Sequence, residues 1–205
     1  MKSKIKHRLV CWLADGRAAE WYNTDDLDES DKQRVQASPA LAQRLDWQVS
    51  RAIKQHLTLP ILSLSHSGGG AAVLGGQMGL QAGVDLECLR PRDYAALAKW
   101  VASAAEQEAL ARMGWCLEDF YTLWTLKEAL LKAANLVFPA DMPRVGWQWG
   151  DDGQVGLHVD GQLGWHGITA KIDERWLLSC VWHGEAEISL QDMVGFTNIE
   201  MLRFW

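Results

Sequence analysis

Apolar residues recur along the chain with two different periods, and these predict helices in some segments and strands in others. Leu41, Leu45, Val49 and Ile53 are spaced by four residues, so they predict one face of a helix that ends near His56. Similar patterns predict helices over residues 94–113 and 117–134. Shorter apolar or alternating runs predict strands over residues 9–13, 59–65, 80–87, 145–149, 155–159, 165–172 and 176–182.

Turn-forming residues connect these strands. Glycines at 68–70 and 75–76 enclose the apolar run 71–74, which predicts a hairpin with the strand before it. Asp-Gly pairs at 152–153 and 160–161 separate the late strands and predict an antiparallel meander.

Each half of the chain combines helices with short strands. We therefore expect an α+β fold built from two α/β lobes, residues 1–79 and residues 80–205, each with a small, mainly antiparallel sheet packed on helices. Residues 188–205 contain apolar side chains without a clean period, so no element is predicted there.

Composition and charge exclude several classes of protein. Hydrophobic residues make up 48% of the 205 residues and charged residues 22%, which is typical of a globular rather than a disordered protein. The net charge of -6 creates no basic field, so we expect neither nucleic acid nor a membrane surface as a partner. The four cysteines form no C-x-x-C pair, which argues against a zinc site or a disulfide framework. Reduced thiols and the absence of a long apolar run predict a cytoplasmic protein.

Asp85 and Glu87 form the first group of candidate functional residues. On a strand, residues two apart point to the same face, so the two carboxylates lie side by side while Val84 and Leu86 enter the core. Adjacent carboxylates repel each other unless a cation compensates, and oxygen ligands of this kind suit Mg²⁺. The same pair also occurs on ordinary solvated strands, so alone it is weak evidence for a metal site.

Glu128 and Lys132 form the second group. They are four residues apart on a predicted helix and share one face, with Lys127 beside them. Taken alone, they are compatible with an exposed ion pair worth a few tenths of a kcal/mol. Taken with Asp85 and Glu87, Glu128 supplies a third carboxylate and Lys132 supplies the cation that a phosphate site needs beside its metal.

Ser65 and His66 form the third group, at the end of a strand and before a glycine run. A hydroxyl, an imidazole and flexible backbone amides can all donate hydrogen bonds to phosphate oxygens. The alternative is an ordinary turn with a locally bonded histidine. A hydrolase triad is disfavoured, because the G-x-S-x-G motif is absent.

In their order along the chain, the segments SLSHSG, GVDLE and WTLKEALLK resemble the phosphopantetheinyl transferase superfamily, and in particular its larger, two-lobed members of the surfactin-synthetase-activator type. The resemblance implies a pseudo-twofold pair of lobes with the active site in the cleft between them. It also implies transfer of 4'-phosphopantetheine from coenzyme A to a serine of an apo acyl or peptidyl carrier protein, with release of adenosine 3',5'-bisphosphate. A monomer would suffice for this reaction.

The resemblance also implies roles in metal binding and catalysis. Asp85, Glu87 and Glu128 would hold Mg²⁺ against the pyrophosphate of coenzyme A, and Glu128 and Lys132 would act in catalysis. Glu106 is a further catalytic candidate, as the group that assists proton removal. An exposed helix carboxylate is the equally weighted alternative for Glu106.

Candidate coenzyme-binding residues come from the segments SLSHSG and WTLKEALLK and from the first predicted helix. Ser65, His66, Lys127, Lys132 and Arg51 form this set, of which His66 and Lys132 match family residues that contact phosphate.

Three departures from the family pattern concern the first lobe and the carrier protein. The Gly-Lys-Pro that often precedes the histidine motif is replaced by residues 56–60, so a phosphate-binding lysine is missing. Ser63 stands where an asparagine is usual, and residues 133–136 replace a glycine-rich turn. The coenzyme contacts of the first lobe and the docking of the carrier protein therefore stay open.

Two alternative functions use the same residues. A binding module would hold coenzyme A or a carrier protein without turnover, as the missing lysine suggests. A metal-dependent phosphohydrolase would use the three carboxylates to release phosphate or nucleotide without a carrier protein.

Overall fold

A computed structural model describes residues 7–205. Within them the α-helices are α1 (Glu29–Ala37), α2 (Leu45–Gln55), α3 (Tyr94–Val101), α4 (Ala104–Arg112) and α5 (Leu117–Ala133). The strands are β1 (His7–Ala14), β2 (Ile61–Ser67), β3 (Gly70–Gly76), β4 (Ala82–Cys88), β5 (Val145–Trp149), β6 (Val155–Val159), β7 (Gln162–Ile172), β8 (Trp176–His183), β9 (Ala186–Val194) and β10 (Ile199–Phe204).

These strands form two sheets. The first has the order β2-β3-β1-β9, and the second has the order β4-β8-β7-β6-β5, with β10 paired to β7. Neighbouring strands are antiparallel, apart from the parallel pair of β1 and β9. The predicted α+β class, the hairpin of β2 and β3 and the antiparallel meander of β5 to β8 are thereby confirmed.

The C-terminal part of the chain returns to the first sheet. β9 lies beside β1 with Ala186 opposite His7, and β10 then pairs with β7 in the second sheet. The first sheet therefore contains a strand from the segment that the sequence pattern assigned to the second lobe. The division at residue 80 stays a prediction, and the sheets do not follow it completely.

One hydrophobic core joins the two sheets. It contains the fully buried side chains of Leu9 and Leu74 from the first sheet and of Val84 and Leu178 from the second. Burial of each such side chain stabilises the fold by about 1.5–3 kcal/mol. The shared core fixes the relative position of the edge strands β2 and β4, which carry candidate site residues.

Two helices differ in extent from the prediction. The single helix predicted over residues 94–113 is divided into α3 and α4, because Ser103 caps α4 and forms a capping box with Glu106. The helix predicted from Leu41 begins at Leu45, after the 3-10 segment Pro39–Gln43. No helix in the described part of the chain is long and apolar enough to cross a membrane.

Gly83 allows α5 to pack closely against β4. A Cβ atom at Gly83 would lie 2.0 Å from the carbonyl oxygen of Ala129 and 2.9 Å from the backbone nitrogen of Ala133. Both neighbours are helix backbone atoms, which cannot turn aside as the end of a flexible side chain can. A larger residue at position 83 therefore requires a shift of α5 against β4.

We expect Gly83→Ala to lower the free energy of unfolding by about 1–3 kcal/mol or more, because it overpacks this contact. Urea denaturation followed by circular dichroism measures the change. Gly156→Ala is the matched control on β6, since its nearest atom would lie 4.0 Å away. Equal stability of the two variants would contradict the importance of the close packing.

Candidate active site

The three candidate metal-binding carboxylates meet where α5 packs against β4. Asp85 is 4% exposed, and Glu87 and Glu128 are half-buried. Val84 and Leu86, which alternate with the acidic residues, are fully buried in the core. The charge of Asp85 acts on both glutamates, so the structure brings together the carboxylates of the strand and the helix.

Serine side chains of β2 connect this edge of the second sheet to the first sheet. Ser65 Oγ donates a hydrogen bond to Asp85 Oδ1 over 2.8 Å, and Ser67 Oγ donates to Glu87 Oε2 over 2.9 Å. Ser63 Oγ accepts a hydrogen bond from the backbone N–H of Val84. These serines are two residues apart, so all three face β4, and the seam they form orients the carboxylates.

Lys132 supplies the positive charge of the cluster. Its Nζ atom donates to Asp85 Oδ1 over 2.8 Å and to the backbone oxygen of Val84 over 3.1 Å. The ammonium group also opposes the rise in the pKa values of Glu87 and Glu128. With a side chain 31% exposed, Lys132 keeps access to solvent and to a ligand.

Burial raises the pKa of both glutamates. Desolvation is the largest cause, and repulsion from Asp85 is the next. The pKa of Glu128 reaches about 7, and the pKa of Glu87 lies above its usual value. Glu128 is therefore partly protonated near neutral pH, and a positive charge nearby would favour its ionised form.

One oxygen of Asp85 indicates that the cluster suits a cation. Asp85 Oδ2 is buried and has no hydrogen-bond partner among residues 7–205. Burial of an oxygen without a hydrogen-bond partner lowers the stability of the fold by about 1–3 kcal/mol, and a bound cation would offset this loss. Oxygen donors of this kind fit Mg²⁺. Within those same residues, no three His, Cys, Asp or Glu side chains are already arranged as a metal site, and Asp85 Oδ1 is instead engaged by Lys132.

His66 and Arg51 lie in the first-sheet part of the site. Burial lowers the pKa of His66, and the charges of Asp46, Arg51 and Lys132 act on the imidazole. The Arg51 guanidinium is itself buried and bonds Asp31 Oδ1 over 2.9 Å. The structure thus places positive charge near His66, while Arg51 is held in an internal ion pair.

Glu106 and Lys127 form a separate buried pair. Lys127 Nζ donates to Glu106 Oε2 over 2.9 Å, and each side chain is 1% exposed. Glu106 also accepts hydrogen bonds from the backbone N–H groups of Ser103 and Trp147. These contacts join α4, α5 and β5, and they do not bring either residue to the carboxylate cluster. Glu106 is buried, and therefore differs from the exposed helix carboxylate considered as its alternative.

A cavity of about 170 Å³ opens beside Glu87. Arg92 lines it together with the aromatic side chains of Phe120, Tyr121 and Trp124. Neither Arg92 nor the bond from Ser67 to Glu87 was anticipated from the sequence. The alternating serines of β2 would have predicted the hydrogen bond from Ser67 to Glu87, but only if the position of β2 beside β4 had been known.

We expect Glu128→Gln to stabilise the metal-free protein increasingly as the pH rises from 5 to 8. In the wild type the folded-state pKa of Glu128 is raised from 4.5 to about 7. Ionisation therefore destabilises the folded state progressively above the unfolded pKa, and the penalty is complete above the folded pKa. Melting temperatures in a chelating buffer measure this, and a difference between variant and wild type that is independent of pH would contradict it.

We expect Lys127→Met to lower the free energy of unfolding by about 3–5 kcal/mol, because it leaves the Glu106 carboxylate buried without its cation. Addition of Glu106→Gln should restore much of this loss. Arg112→Met is the control, since Arg112 and Glu108 form an exposed pair at 3.7 Å and its removal should cost less than about 1 kcal/mol. Denaturation curves of the three variants test the pair, and equal losses in Lys127→Met and Arg112→Met would refute it.

A comparison with models of protein families gives a match to part of the chain. Residues 81–181 match the model of the 4'-phosphopantetheinyl transferase superfamily. This region begins one residue before β4 and ends within β8, so it contains Asp85, Glu87, Glu128 and Lys132. No curated protein matches the chain. The match covers just under half of the 205 residues, and it suggests phosphopantetheine transfer as the class of reaction.

Proposed function

We propose that the protein transfers 4'-phosphopantetheine from coenzyme A to a serine of an apo acyl or peptidyl carrier protein, as a transferase of the surfactin-synthetase-activator type. The serine oxygen forms a bond to the β-phosphorus of the coenzyme, and the bond to the bridging pyrophosphate oxygen breaks. Adenosine 3',5'-bisphosphate leaves with the electron pair. The serine proton passes to a base.

The observation that carries this proposal is the cluster of Asp85, Glu87 and Glu128 beside Lys132. One buried and two half-buried carboxylates close together are unfavourable without added positive charge, and Asp85 Oδ2 has no partner in the described structure. A pyrophosphate ester with Mg²⁺ supplies a cation for the carboxylates and an anion for the lysine. Its chemistry is therefore complementary to both halves of the cluster.

Each residue has a part in this reaction. Asp85, Glu87 and Glu128 would hold Mg²⁺, which supplies charge neutralisation at the pyrophosphate when it is bound. The ammonium of Lys132 would stabilise negative charge that develops on the leaving group. His66 lies near enough to Lys132 for their charges to interact, and its imidazole is suited to donating to a phosphate oxygen.

The proton acceptor is better assigned to the carboxylate cluster than to Glu106. Both oxygens of Glu106 already accept hydrogen bonds inside the protein, from Ser103, Lys127 and Trp147. Glu128 lies in the cluster and is only half-buried, so its carboxylate is accessible to a ligand, whereas the side chain of Glu106 is 1% exposed. The family match covers both residues and does not distinguish between them.

The test is transfer to an apo carrier protein in the presence of coenzyme A and Mg²⁺, measured as a mass increase of one phosphopantetheine group. We expect Asp85→Asn and Glu128→Gln to lower the rate by about 100-fold or more, because each removes a charged oxygen ligand. Glu108→Gln is the control, since this helix carboxylate is 71% exposed and lies outside the cluster. Circular dichroism verifies that each variant is folded.

Other outcomes would favour the alternatives. Coenzyme binding by calorimetry without a mass gain, for several carrier proteins, would indicate a binding module. Release of nucleotide without a carrier protein would indicate a phosphohydrolase. Full activity of Asp85→Asn would remove the cluster from the mechanism.

A further inference from the structure

A second cavity, of about 250 Å³, lies between the end of α4 and strands β5, β6 and β10. Arg112, Arg203, Trp147, Trp149 and Met113 line it, and small apolar side chains complete the wall. It shares no lining residue with the cavity beside Glu87. None of the residues assigned above to the metal, the coenzyme or proton transfer lines it.

The tryptophans give this cavity a flat and rigid wall. Trp147 is 5% exposed, stacks on Trp205 with a centroid distance of 5.7 Å, and contacts Trp149 edge to face at 6.2 Å. Because these rings support one another, the wall exists before any ligand binds. Flat aromatic ligands pack well against preformed surfaces of this kind.

The polar groups of the cavity favour an anionic ligand. Within residues 7–205, Arg112 has one ion pair, a long one to Glu108 at 3.7 Å, and Arg203 lies over the ring of Trp205 at 4.8 Å. In the described part of the chain Arg203 has no acidic partner within 4.0 Å. Among the described residues, Glu108 beside Arg112 is therefore the one acidic side chain within 4.0 Å of either guanidinium group.

We propose that this cavity binds a small aromatic carboxylate, with its ring against the tryptophans and its carboxylate on the two arginines. The volume of about 250 Å³ is below the range typical of drug-sized ligands, which favours a single ring. Guanidinium groups recognise carboxylates in a planar, two-pronged geometry. This site is independent of the proposed transferase activity.

Titration of the full chain with benzoate, followed by tryptophan fluorescence and by saturation-transfer NMR, tests the proposal. Benzamide has the ring without the charge, and acetate has the charge without the ring. We expect benzoate to bind about tenfold more tightly than either, since a charge-assisted hydrogen bond is worth about that factor. Equal binding of benzoate and benzamide would show an unspecific aromatic pocket and would overturn the proposal.

Two variants locate the site. Arg203→Gln should weaken benzoate binding about tenfold, and Trp149→Leu should weaken it by removing part of the aromatic wall. Arg8→Gln, an exposed arginine on β1, is the control and should bind benzoate as the wild type does. Unchanged binding in both cavity variants would place benzoate elsewhere and refute the assignment. Carrier modification by Arg203→Gln should equal that of the wild type, which separates this test from the proposed function.

Discussion

The contact between β2 and β4 is the constraint on which the site depends. Each is an edge strand of its own sheet, and serine side chains of β2 connect them in place of a ladder of backbone hydrogen bonds. This seam can form because the two sheets share one core. In this seam the serines of β2 donate hydrogen bonds to the carboxylates of Asp85 and Glu87. These bonds hold the two carboxylates close to Glu128 despite the repulsion between the three negative charges.

The site depends equally on the close packing of α5 on β4. A glycine at position 83 lets the helix backbone approach the strand, and this approach places Glu128 and Lys132 next to Asp85. The resulting site is locally unfavourable, because it buries like charges and raises the pKa of Glu128 to about 7. Functional sites often contain such locally unfavourable groups, and the stability of the surrounding core compensates for them.

Much of this arrangement could be predicted from local patterns. The alternation around Asp85 and the four-residue spacing of Glu128 and Lys132 require only the geometry of one strand and one helix. Strand β9 could not be predicted in this way, because its pairing with β1 joins segments at opposite ends of the chain. Its side chains are mostly half-exposed, so their apolar pattern is weak. Long-range pairing of this kind is set by the tertiary core rather than by the strand itself.

The same limit applies to charged residues whose partners are distant in sequence. Arg51 and Lys127 carry the charge that a phosphate ligand requires, yet each is buried against an acidic residue about twenty positions earlier, Asp31 and Glu106 respectively. The sequence specifies their charge but not their partner.

Lys132 differs from both because its ammonium group is partly exposed and bonds an oxygen of the metal-site candidate Asp85. A cation that bound the cluster would compete for this oxygen, and the long side chain of Lys132 could then reach a phosphate without leaving a buried charge behind. An internal ion pair that releases its lysine on ligand binding is therefore compatible with catalysis, whereas the fully buried pair of Glu106 and Lys127 is suited to holding the helices in place.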